Sequence, residues 1–309
     1  MMAQNYIGVD LSSDWIDIHD PIRGTSRIAN SNAALARWME AFAPEDFLIF
    51  EATSGCDRAI LQEAEARGIT MRRINPLHGW HFGRSLNLPK TDRVDARMLA
   101  RYGAERQPEP QAPSSPARLA LAELETRREQ LKVMEVQEKN RLRKATLEAV
   151  RADHLTMLRN LAARTAKIET HIRDHLKAHP DLARAAHLLQ SIPGIGSVAA
   201  TVLIAHLPEL GTLDRRAIAS LAGLAPKARE SGKWHGNRPI GDGRRHIRRA
   251  LYMAALSALR SSSCFATSVA ALRAKGKPGK VIAIAMARKL LVIANAIISK
   301  QEPFRAAKQ

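Results

Sequence analysis

Four acidic residues stand where carboxylates could hold a metal ion. Asp10 and Glu51 each directly follow a short apolar run, and sites in open α/β sheets assemble at the carboxyl ends of strands. Asp92 and Asp95 are three residues apart, which places both on one face of a helix. If all four converge, divalent cations would have to neutralise the crowded charge. Two Mg²⁺ ions bridging a phosphate could then activate a nucleophile and stabilise a leaving oxygen.

Each of these acids also has a purely structural interpretation. An aspartate at the end of a strand is often a turn residue. Asp92 could cap a helix, and Asp95 could pair with Arg97 or Arg93. Their joint arrangement favours the metal site over these separate roles.

A basic, glycine-rich segment spans residues 227–249. It contains eight lysines or arginines against two acids, and its glycines and proline keep its first half irregular. A basic loop that runs into a basic helix suits a phosphate backbone. The predicted nucleic-acid contacts in this segment are Lys227, Arg229, Lys233, Arg238, Arg244, Arg245, Arg248 and Arg249.

Ser231, followed by Gly232, lies inside this segment. A serine hydroxyl is a weak nucleophile unless its surroundings favour its deprotonation. Neighbouring arginines and lysines, or a metal from the acidic residues, could do that. On the residues alone, Ser231 is one loop serine among several, because Ser220, Ser257 and Ser261 to Ser263 are also nearby.

A Pro-Gly-x-Gly turn at residues 193–196 precedes an apolar helical stretch. This pattern is similar to a helix-hairpin-helix module, in which backbone N–H groups at the start of the second helix hold a DNA phosphate. We therefore predict that Gly194 and Gly196 contact nucleic acid. The alternative is a plain tight turn between two helices.

Residues 1–106 have the pattern of an α/β domain. Phe47 to Phe50 is a continuous apolar run, typical of a strand covered on both faces. Ser31 is the expected cap of one helix and Gly68 the expected end of another. Strands are predicted at 6–11, 15–18, 47–50 and 69–74, and helices at 32–42 and 58–67.

The remaining chain divides into a linker, a helical connector and a C-terminal domain. Four prolines mark 107–116 as the linker, and 117–180 has a helix-forming composition. The C-terminal domain, 181–309, is expected to be mainly helical. A coiled-coil-like seam that could support a dimer or tetramer is formed by Leu158, Leu161, Thr165, Ile168, Ile172 and His175.

Two arrangements of the connector fit its sequence. It could be one long helix or a hairpin of two helices that turns near Arg151 to His154. The seam could equally pack within one chain as an ordinary bundle.

The net charge of +18 and the pI of 10.6 indicate a polyanionic partner. Nucleic acid is the first candidate. An anionic membrane surface is the second, but it would call for a basic amphipathic helix at a terminus, and the first residues have the pattern of a buried strand. Arg288 and Lys289 split the longest apolar stretch, which favours a buried or amphipathic helix over a membrane span, and we expect no membrane partner. No signal peptide is visible. Cys56 and Cys264 show neither metal-ligand spacing nor a disulfide framework. These features predict a cytoplasmic protein associated with the nucleoid.

The sequence resembles the DEDD transposases of the insertion-sequence-one-ten family, relatives of the Piv-type DNA invertases. The resemblance covers nearly the whole chain. One difference is that Ser54 to Cys56 stand where the family commonly has Gly-Gly-Tyr, so an aromatic contact is lost while the four acids are intact. The matching segments, in order, are 6–10, 50–55, 75–76 with Phe82, 90–96, 193–196, 221–226, and 231–232 with the Arg-rich helix from Arg244.

The resemblance implies a RuvC-like, RNase H-type fold for the N-terminal domain. It implies that Asp10, Glu51, Asp92 and Asp95 bind two Mg²⁺ ions, with Mn²⁺ as a substitute, and that Ser231 joins covalently to DNA. Family members form tetramers with composite sites, and some are guided by a structured non-coding RNA that pairs with donor and target DNA. The excess positive charge would then hold both RNA and DNA by their backbones.

Two other functions fit the same residues. A structure-specific nuclease, such as a Holliday-junction resolvase, would use the same carboxylates with water as the nucleophile and would not need Ser231. A non-catalytic scaffold for RNA or DNA would have no use for four clustered acids on a surface that binds phosphate. The C-terminal domain with Ser231 in a basic loop favours the recombinase.

Overall fold

A computed structural model gives the fold of the chain. It describes residues 4–53, 55–86, 92–111, 115–227, 230–231, 234–235, 238–261 and 263–305. The chain divides into two compact units, Met1–Pro113 and Ser114–Gln309. Each unit is described by itself below.

The first unit is a twisted sheet with helices on both faces. Ser31 caps the first helix through a hydrogen bond from the Ala34 N–H, as predicted. The elements in order are β1 (Asn5–Leu11), β2 (Trp15–Asp20), β3 (Gly24–Ala29), α1 (Asn32–Met39), β4 (Asp46–Glu51), α2 (Arg58–Ala66), β5 (Thr70–Ile74), α3 (Pro76–Ser85) and α4 (Asp92–Arg106).

The strands lie in the order β3-β2-β1-β4-β5. β1 pairs antiparallel with β2 and parallel with β4, with Val9 opposite Phe50. One face carries Ile7, Val9, Leu48 and other apolar side chains that pack against α1 and α2. The opposite face packs against α3 and α4. The α/β prediction for this region is confirmed.

Helix α4 crosses β1 at very short range because both elements contribute a glycine. A Cβ atom at Gly8 would lie 1.9 Å from the carbonyl oxygen of Ala96, and one at Gly103 would lie 2.8 Å from Cβ of Tyr6. Residue numbers therefore rise along α4 as they fall along β1. The start of α4 is consequently directed toward the end of β1, where Asp10 lies.

Two parts of this unit were not predicted. β3 is mostly exposed and has no apolar run, and α3 begins at Pro76 after an Asn75 cap. The first half of the predicted linker also lies against the sheet, since the Gln111 N–H donates to Met71 of β5 (2.8 Å).

The second unit is almost entirely helical in its described residues. It contains α5 (Pro116–Lys144), α6 (Glu148–Ala178), α7 (Pro180–Gln190), α8 (Ser197–His206), α9 (Arg215–Leu221), β6 (Glu230–Ser231), β7 (Trp234–His235), α10 (Arg245–Ser261), a 3-10 turn (Ser263–Phe265), α11 (Ala266–Ala274) and α12 (Gly279–Lys300).

Helices α5 and α6 pack against each other as a hairpin, one of the two predicted arrangements. The predicted turn near Arg151 to His154 is wrong, because the break lies at residues 145–147. Arg151, in α6, stabilises this break by donating hydrogen bonds to the carbonyl oxygens of Ala145 (3.0 Å) and Leu142 (3.4 Å).

The seam of α6 is used inside the chain. Leu161, Thr165 and Ile172 are buried, and the ring of His175 lies 2.7 Å from the Ala117 carbonyl oxygen of α5. Leu121 of α5 and Ile172 of α6 belong to the same core as the helices that follow. The predicted connector and C-terminal domain therefore share one hydrophobic core.

Helix α12 runs through that core. Among the described helices, α12 alone is long and apolar enough to cross a membrane, but half of its most apolar window is buried inside the unit. Asn295 joins it to the chain before α9: its side chain accepts from the Gly211 N–H and donates to the Leu213 carbonyl oxygen, both at 2.8 Å. The apolar composition of α12 is that of a core helix.

Candidate active site

Asp10 and Glu51 lie side by side at the carboxyl edge of the sheet. The parallel register of β1 and β4 pairs Val9 with Phe50, and the next residue of each strand is one of the two acids. Neighbouring strands are about 4.8 Å apart, and in-register residues of a parallel pair point to the same face. Both carboxylates are half-buried. The strand ends therefore bring two of the four predicted acids together.

That face is the one covered by α3 and α4. Side chains alternate along a strand, so Asp10 points to the same face as Gly8, on which α4 packs. Glu51 points to the same face as Phe47 and Ile49, which belong to the core beneath α3 and α4. Asp95, in the first turn of α4, is half-buried.

The structure describes the backbone of Asp92 at the start of α4 but not its side chain. Among the side chains that it does describe, no group of three or more His, Cys, Asp or Glu is close enough to hold a metal ion. Asp10 and Glu51 supply oxygen donors of the kind that Mg²⁺ prefers. The fit to a metal thus rests on the chemistry and placement of these donors.

Two residues beside these acids were not predicted. A Cβ atom at Gly79 of α3 would lie 1.9 Å from Oε1 of Glu51, so the backbone of α3 lies directly against that carboxylate. Asp17 of β2 stands opposite Asp10 and is held by two bonds from Arg27 (3.0 and 2.6 Å). The sequence signal for Asp17 was its place within the predicted strand at 15–18.

In the second unit, the Pro-Gly-x-Gly turn connects α7 to α8. Gly194 has φ of +91°, and a Cβ atom there would lie 2.6 Å from the carbonyl oxygen of Ala254 in α10. Gly196 is exposed, caps α8, and has no atom near its missing Cβ. The two glycines therefore differ: Gly194 is a packing residue and Gly196 faces open space.

The segment around Ser231 is more regular than predicted. Glu230–Ser231 and Trp234–His235 form a short antiparallel pair, with Ser231 opposite Trp234. The side chain of Ser231 lies outside the described part of the chain, as do Arg229 and Lys233. The role of the Ser231 hydroxyl as a nucleophile therefore stays a prediction.

Several predicted phosphate-binding residues are paired with acids of their own unit. Arg244 binds Glu209 through Nη1 and Nη2 (2.5 and 2.6 Å), and Nη1 also donates to the His206 carbonyl oxygen (3.0 Å). Lys227 pairs with Asp242, and Arg249 pairs with Glu129. A phosphate would have to compete with these carboxylates.

The other described arginines differ in exposure. Arg238 and Arg245 are exposed. Arg248 is half-buried; its Nη1 lies 2.3 Å from where a Cβ atom at Gly223 would be and has no hydrogen-bond partner in the described part of the chain. Arg245 is therefore the residue of the α10 start that is best placed to meet a large anion.

Comparison with known proteins places the chain in a family. A DEDD transposase model of the IS110 type, described as "Transposase", matches residues 16–151, and a model described as "Transposase IS116/IS110/IS902 family" matches residues 186–270.

Two relatives are pilin gene-inverting proteins, from Moraxella bovis and Moraxella lacunata. Each is 30% identical over 98% of both chains. An insertion element IS110 uncharacterized 43.6 kDa protein of Streptomyces coelicolor is 29% identical over 42% of this chain and 32% of its own length.

These matches confirm the resemblance noted from the sequence. The matched DEDD domain is RuvC-like, and its family indicates dependence on a divalent metal. The chain belongs to the IS110 family of DEDD transposases, enzymes that cleave and rejoin DNA.

Proposed function

We propose that this transposase cuts and rejoins DNA through a phosphoserine intermediate, with its acids holding Mg²⁺. The observation that carries the proposal is the placement of Asp10 and Glu51 at adjacent strand ends, on the face toward which α4 brings Asp95. Likeness to pilin gene-inverting proteins over nearly the whole length supports rearrangement of DNA as the outcome.

The acids proposed to hold the metal are Asp10, Glu51, Asp92 and Asp95. Two bound Mg²⁺ ions would stabilise charge on the scissile phosphate and on the leaving oxygen. Asp17, opposite Asp10, does not need to join this set because Arg27 already binds both of its oxygens. The arginine keeps a fifth carboxylate from adding its charge to the proposed site.

Ser231 is the proposed nucleophile. Its Oγ forms a bond to phosphorus while the bond from phosphorus to a deoxyribose oxygen breaks. The proton that leaves the serine hydroxyl is balanced by one taken up by the departing deoxyribose oxygen. A deoxyribose hydroxyl from another strand reverses the step, and since the ester keeps the energy of the phosphodiester, rejoining needs no ATP.

The proposed partners are donor DNA, target DNA and a structured guide RNA. A net charge of +18 destabilises a compact chain by self-repulsion, and binding to several phosphate backbones would neutralise it. Exposed Arg238 and Arg245 are the proposed contacts among the described arginines, and Gly196 lies at the exposed start of α8. We place this activity in the cytoplasm, at nucleoid DNA.

A homo-oligomer is proposed from the surface of the α5–α6 hairpin. Large apolar side chains are exposed along it, including Val136 (55%), Leu147 (69%) and Leu155 (47%). Exposed apolar residues grouped on one element are typical of a protein interface. Because the seam of α6 faces α5, this outer surface and not the seam would join the subunits.

The proposal is tested by a covalent adduct on a denaturing gel. Full-length protein is mixed with Mg²⁺, the candidate element RNA, and labelled donor and target DNA. We expect an adduct in the wild type that disappears in Ser231→Ala and persists in Ser220→Ala, which changes an exposed serine of α9.

The same assay separates the alternative. Cleavage without an adduct, unaffected by Ser231→Ala, would establish a nuclease that uses water. Asp10→Asn should abolish cleavage while leaving DNA binding intact, and Glu105→Gln, in a surface ion pair of α4 with Arg101, should change neither. Loss of binding in Asp10→Asn would mean that this carboxylate has a structural role.

A further inference from the structure

The turn between α11 and α12 carries four cations within eight residues. Residues 243–301, which include this turn, contain twelve lysines and arginines and no aspartate or glutamate. Like charges this close together repel each other unless a polyanion neutralises them. We call the four residues the basic corner, and they are Arg273, Lys275, Lys277 and Lys280.

The side chains of the basic corner are exposed and unpaired. None of the four forms a hydrogen bond or an ion pair with a residue in the part of the chain that the structure describes. The segment 227–249 differs, because Lys227, Arg244 and Arg249 are each paired with an acid. Lys280 also lies in the first turn of α12, where a cation is unfavourable and no acid is present. A phosphate can therefore bind the basic corner without displacing a described carboxylate.

Backbone hydrogen bonds fix the shape of this turn. The Gly276 N–H donates to the Arg273 carbonyl oxygen (2.8 Å), and the Lys277 N–H donates to the Leu272 carbonyl oxygen (3.2 Å). Gly276 has φ of +65°, which makes it a glycine cap at the end of α11. Because the main chain is already ordered, a ligand that binds here loses little affinity to ordering of the backbone.

The basic corner projects from its unit. Lys289 of α12 donates to the hydroxyl of Ser268 in α11 (2.5 Å), which marks a point where the two helices lie side by side. Lys275 follows Ser268 by seven residues, and Gly279, where α12 begins, precedes Lys289 by ten. At 1.5 Å per residue, the turn lies roughly 10–15 Å beyond this contact. A projecting turn can reach a ligand that is too large to enter a cavity.

We infer that the basic corner binds the phosphate backbone of duplex DNA. No aromatic residue lies in 271–281, so the turn lacks the stacking surface with which proteins bind single strands and unpaired RNA bases. Lysine is a compact point charge that contacts phosphate without reading a base. The contact is therefore independent of sequence.

This contact is separate from the predicted one at the start of α10. Helix α10 has 17 residues and is about 25 Å long, and the chain reaches α11 only after the end of that helix. The second unit would then hold a duplex at two places. The inference rests on the proposed action on DNA.

Acetylation of lysines tests the contact directly. The full-length protein is treated with an acetylating reagent in EDTA, with and without saturating duplex DNA of mixed sequence. Mass spectrometry follows the three lysines of the basic corner, with exposed Lys139 of α5 as the reference because it is paired with Glu135. We expect DNA to suppress acetylation of the basic corner and to leave Lys139 unchanged.

Charge-removing variants measure the contribution of the basic corner to affinity. Changing its three lysines to glutamine should reduce the slope of log K against log salt by about 2–3, since each lost contact removes about 0.9. The ratio of wild-type to variant affinity should then be about 40-fold larger at 50 mM than at 200 mM salt. Changing the same lysines to arginine keeps the charge and should keep the wild-type slope.

A matched control removes the same charge from cations that are already paired. Each of its three residues binds an acid four positions away, so the slope should change by less than about 1. Urea midpoints of both triple variants check that folding is intact. The control combines Arg67→Gln, Arg101→Gln and Lys139→Gln.

The inference is overturned if the glutamine variant of the basic corner keeps the wild-type slope, or if the matched control loses as much. Unchanged acetylation in the presence of DNA would also overturn it, as would a loss of binding confined to RNA of the same sequence. None of these readouts depends on cleavage. Absence of the serine adduct with the lysines still protected counts only against the proposed mechanism, and an adduct without protection counts only against the basic corner.

Discussion

Gly79 and Glu51 are so close that a Cβ atom at position 79 would lie 1.9 Å from Oε1 of the glutamate. Such a separation is far inside van der Waals contact, so the carboxylate and the backbone of α3 fit together only without a side chain at this position. Gly79 is buried. The position of a proposed metal ligand is therefore fixed by a helix that carries none of the four predicted acids.

We expect Gly79→Ala to displace the Glu51 carboxylate or α3 and to lower the rate of strand cleavage. A misplacement of 1 Å at a catalytic group can reduce a rate by about 10²-fold. Cleavage is measured alongside the circular dichroism melt. Gly83→Ala is the control, because its Cβ would make an ordinary contact of 3.8 Å with Cγ of Met98. Full activity of Gly79→Ala would show that the Glu51 position is not critical.

Two adjacent arginines at the start of α10 should respond differently to substitution. Arg244→Ala removes a two-bond pair with Glu209 and leaves that acid without its partner. We expect the free energy of unfolding to fall by about 1.5–3 kcal/mol, the range for hydrogen bonds to charged groups. Urea denaturation measures this effect.

Arg245→Ala, in contrast, should leave the unfolding midpoint unchanged because this side chain is exposed. DNA binding at several salt concentrations should show a slope smaller by about 0.9, as expected for one lost phosphate contact. If Arg245→Ala binds DNA with the wild-type slope, the start of α10 does not contact the backbone.

The two glycines of the Pro-Gly-x-Gly turn should also differ. Gly194→Ala combines a φ of +91° with overlap against α10, and we expect a loss of about 1–3 kcal/mol in the free energy of unfolding. Gly196→Ala has open space and extended backbone, so its stability should be that of the wild type. Weaker DNA binding in the second variant would support a phosphate contact at α8; unchanged binding would make the turn purely structural.

Glu125 should make the stability of the second unit depend on pH. Burial raises the pKa of its carboxyl, but hydrogen bonds from His206 and Arg128 (both 2.8 Å) more than offset this and hold the pKa below the ordinary 4.5. The carboxylate therefore adds stability above pH 4.5 that is lost as the pH falls through the lowered pKa.

The variant Glu125→Gln should be less stable than the wild type by about 1–3 kcal/mol at neutral pH. The difference should shrink as the pH falls below 4.5. Urea midpoints across this pH range measure it, with exposed Glu302→Gln as the control. A difference that is constant with pH would assign the loss to packing and not to the charge of Glu125.

Much of the first unit could be predicted because its signals are local. The strand of Phe47 to Phe50 is continuous and apolar, and Ser31 and Gly68 mark helix ends by their own chemistry. β3 has no such signal, since it is mostly exposed and is held by pairing with β2. α3 contains Gly79 and Gly83, which disfavour a helix in isolation. The reason for these two glycines is visible only in the packing of α3 inside the folded unit.

The turn between α5 and α6 could not be located from local sequence. It contains no glycine or proline, and Arg151 of the following helix donates hydrogen bonds to the carbonyl oxygens of Ala145 in the turn and Leu142 near the end of α5. Close by, Glu138 of α5 meets the ring of His154 at 2.5 Å. The residues expected to form the turn are therefore those that stabilise it from a distance.

The candidate site shows the same division. The acids were recognised because each ends an apolar run or begins a helix, which are features of the sequence. Arg244 pairs with Glu209, and these two residues lie on segments that are far apart in the chain. The sequence showed only that Arg244 is basic, and this property suggested a phosphate contact. The role of Asp17 was hidden because its partner, Arg27, lies on the strand that was not predicted.

The packing of α4 on β1 has a consequence for the moment at which the enzyme becomes able to damage DNA. β1 is the first element of its unit to leave the ribosome and α4 is the last, and domains generally fold as units. A nascent or prematurely ended chain therefore carries Asp10 and Glu51 without Asp92 and Asp95 in place. Until Arg106 has been made and α4 has closed over Gly8, the four acids proposed to bind Mg²⁺ cannot come together, and the growing chain should be unable to cut DNA.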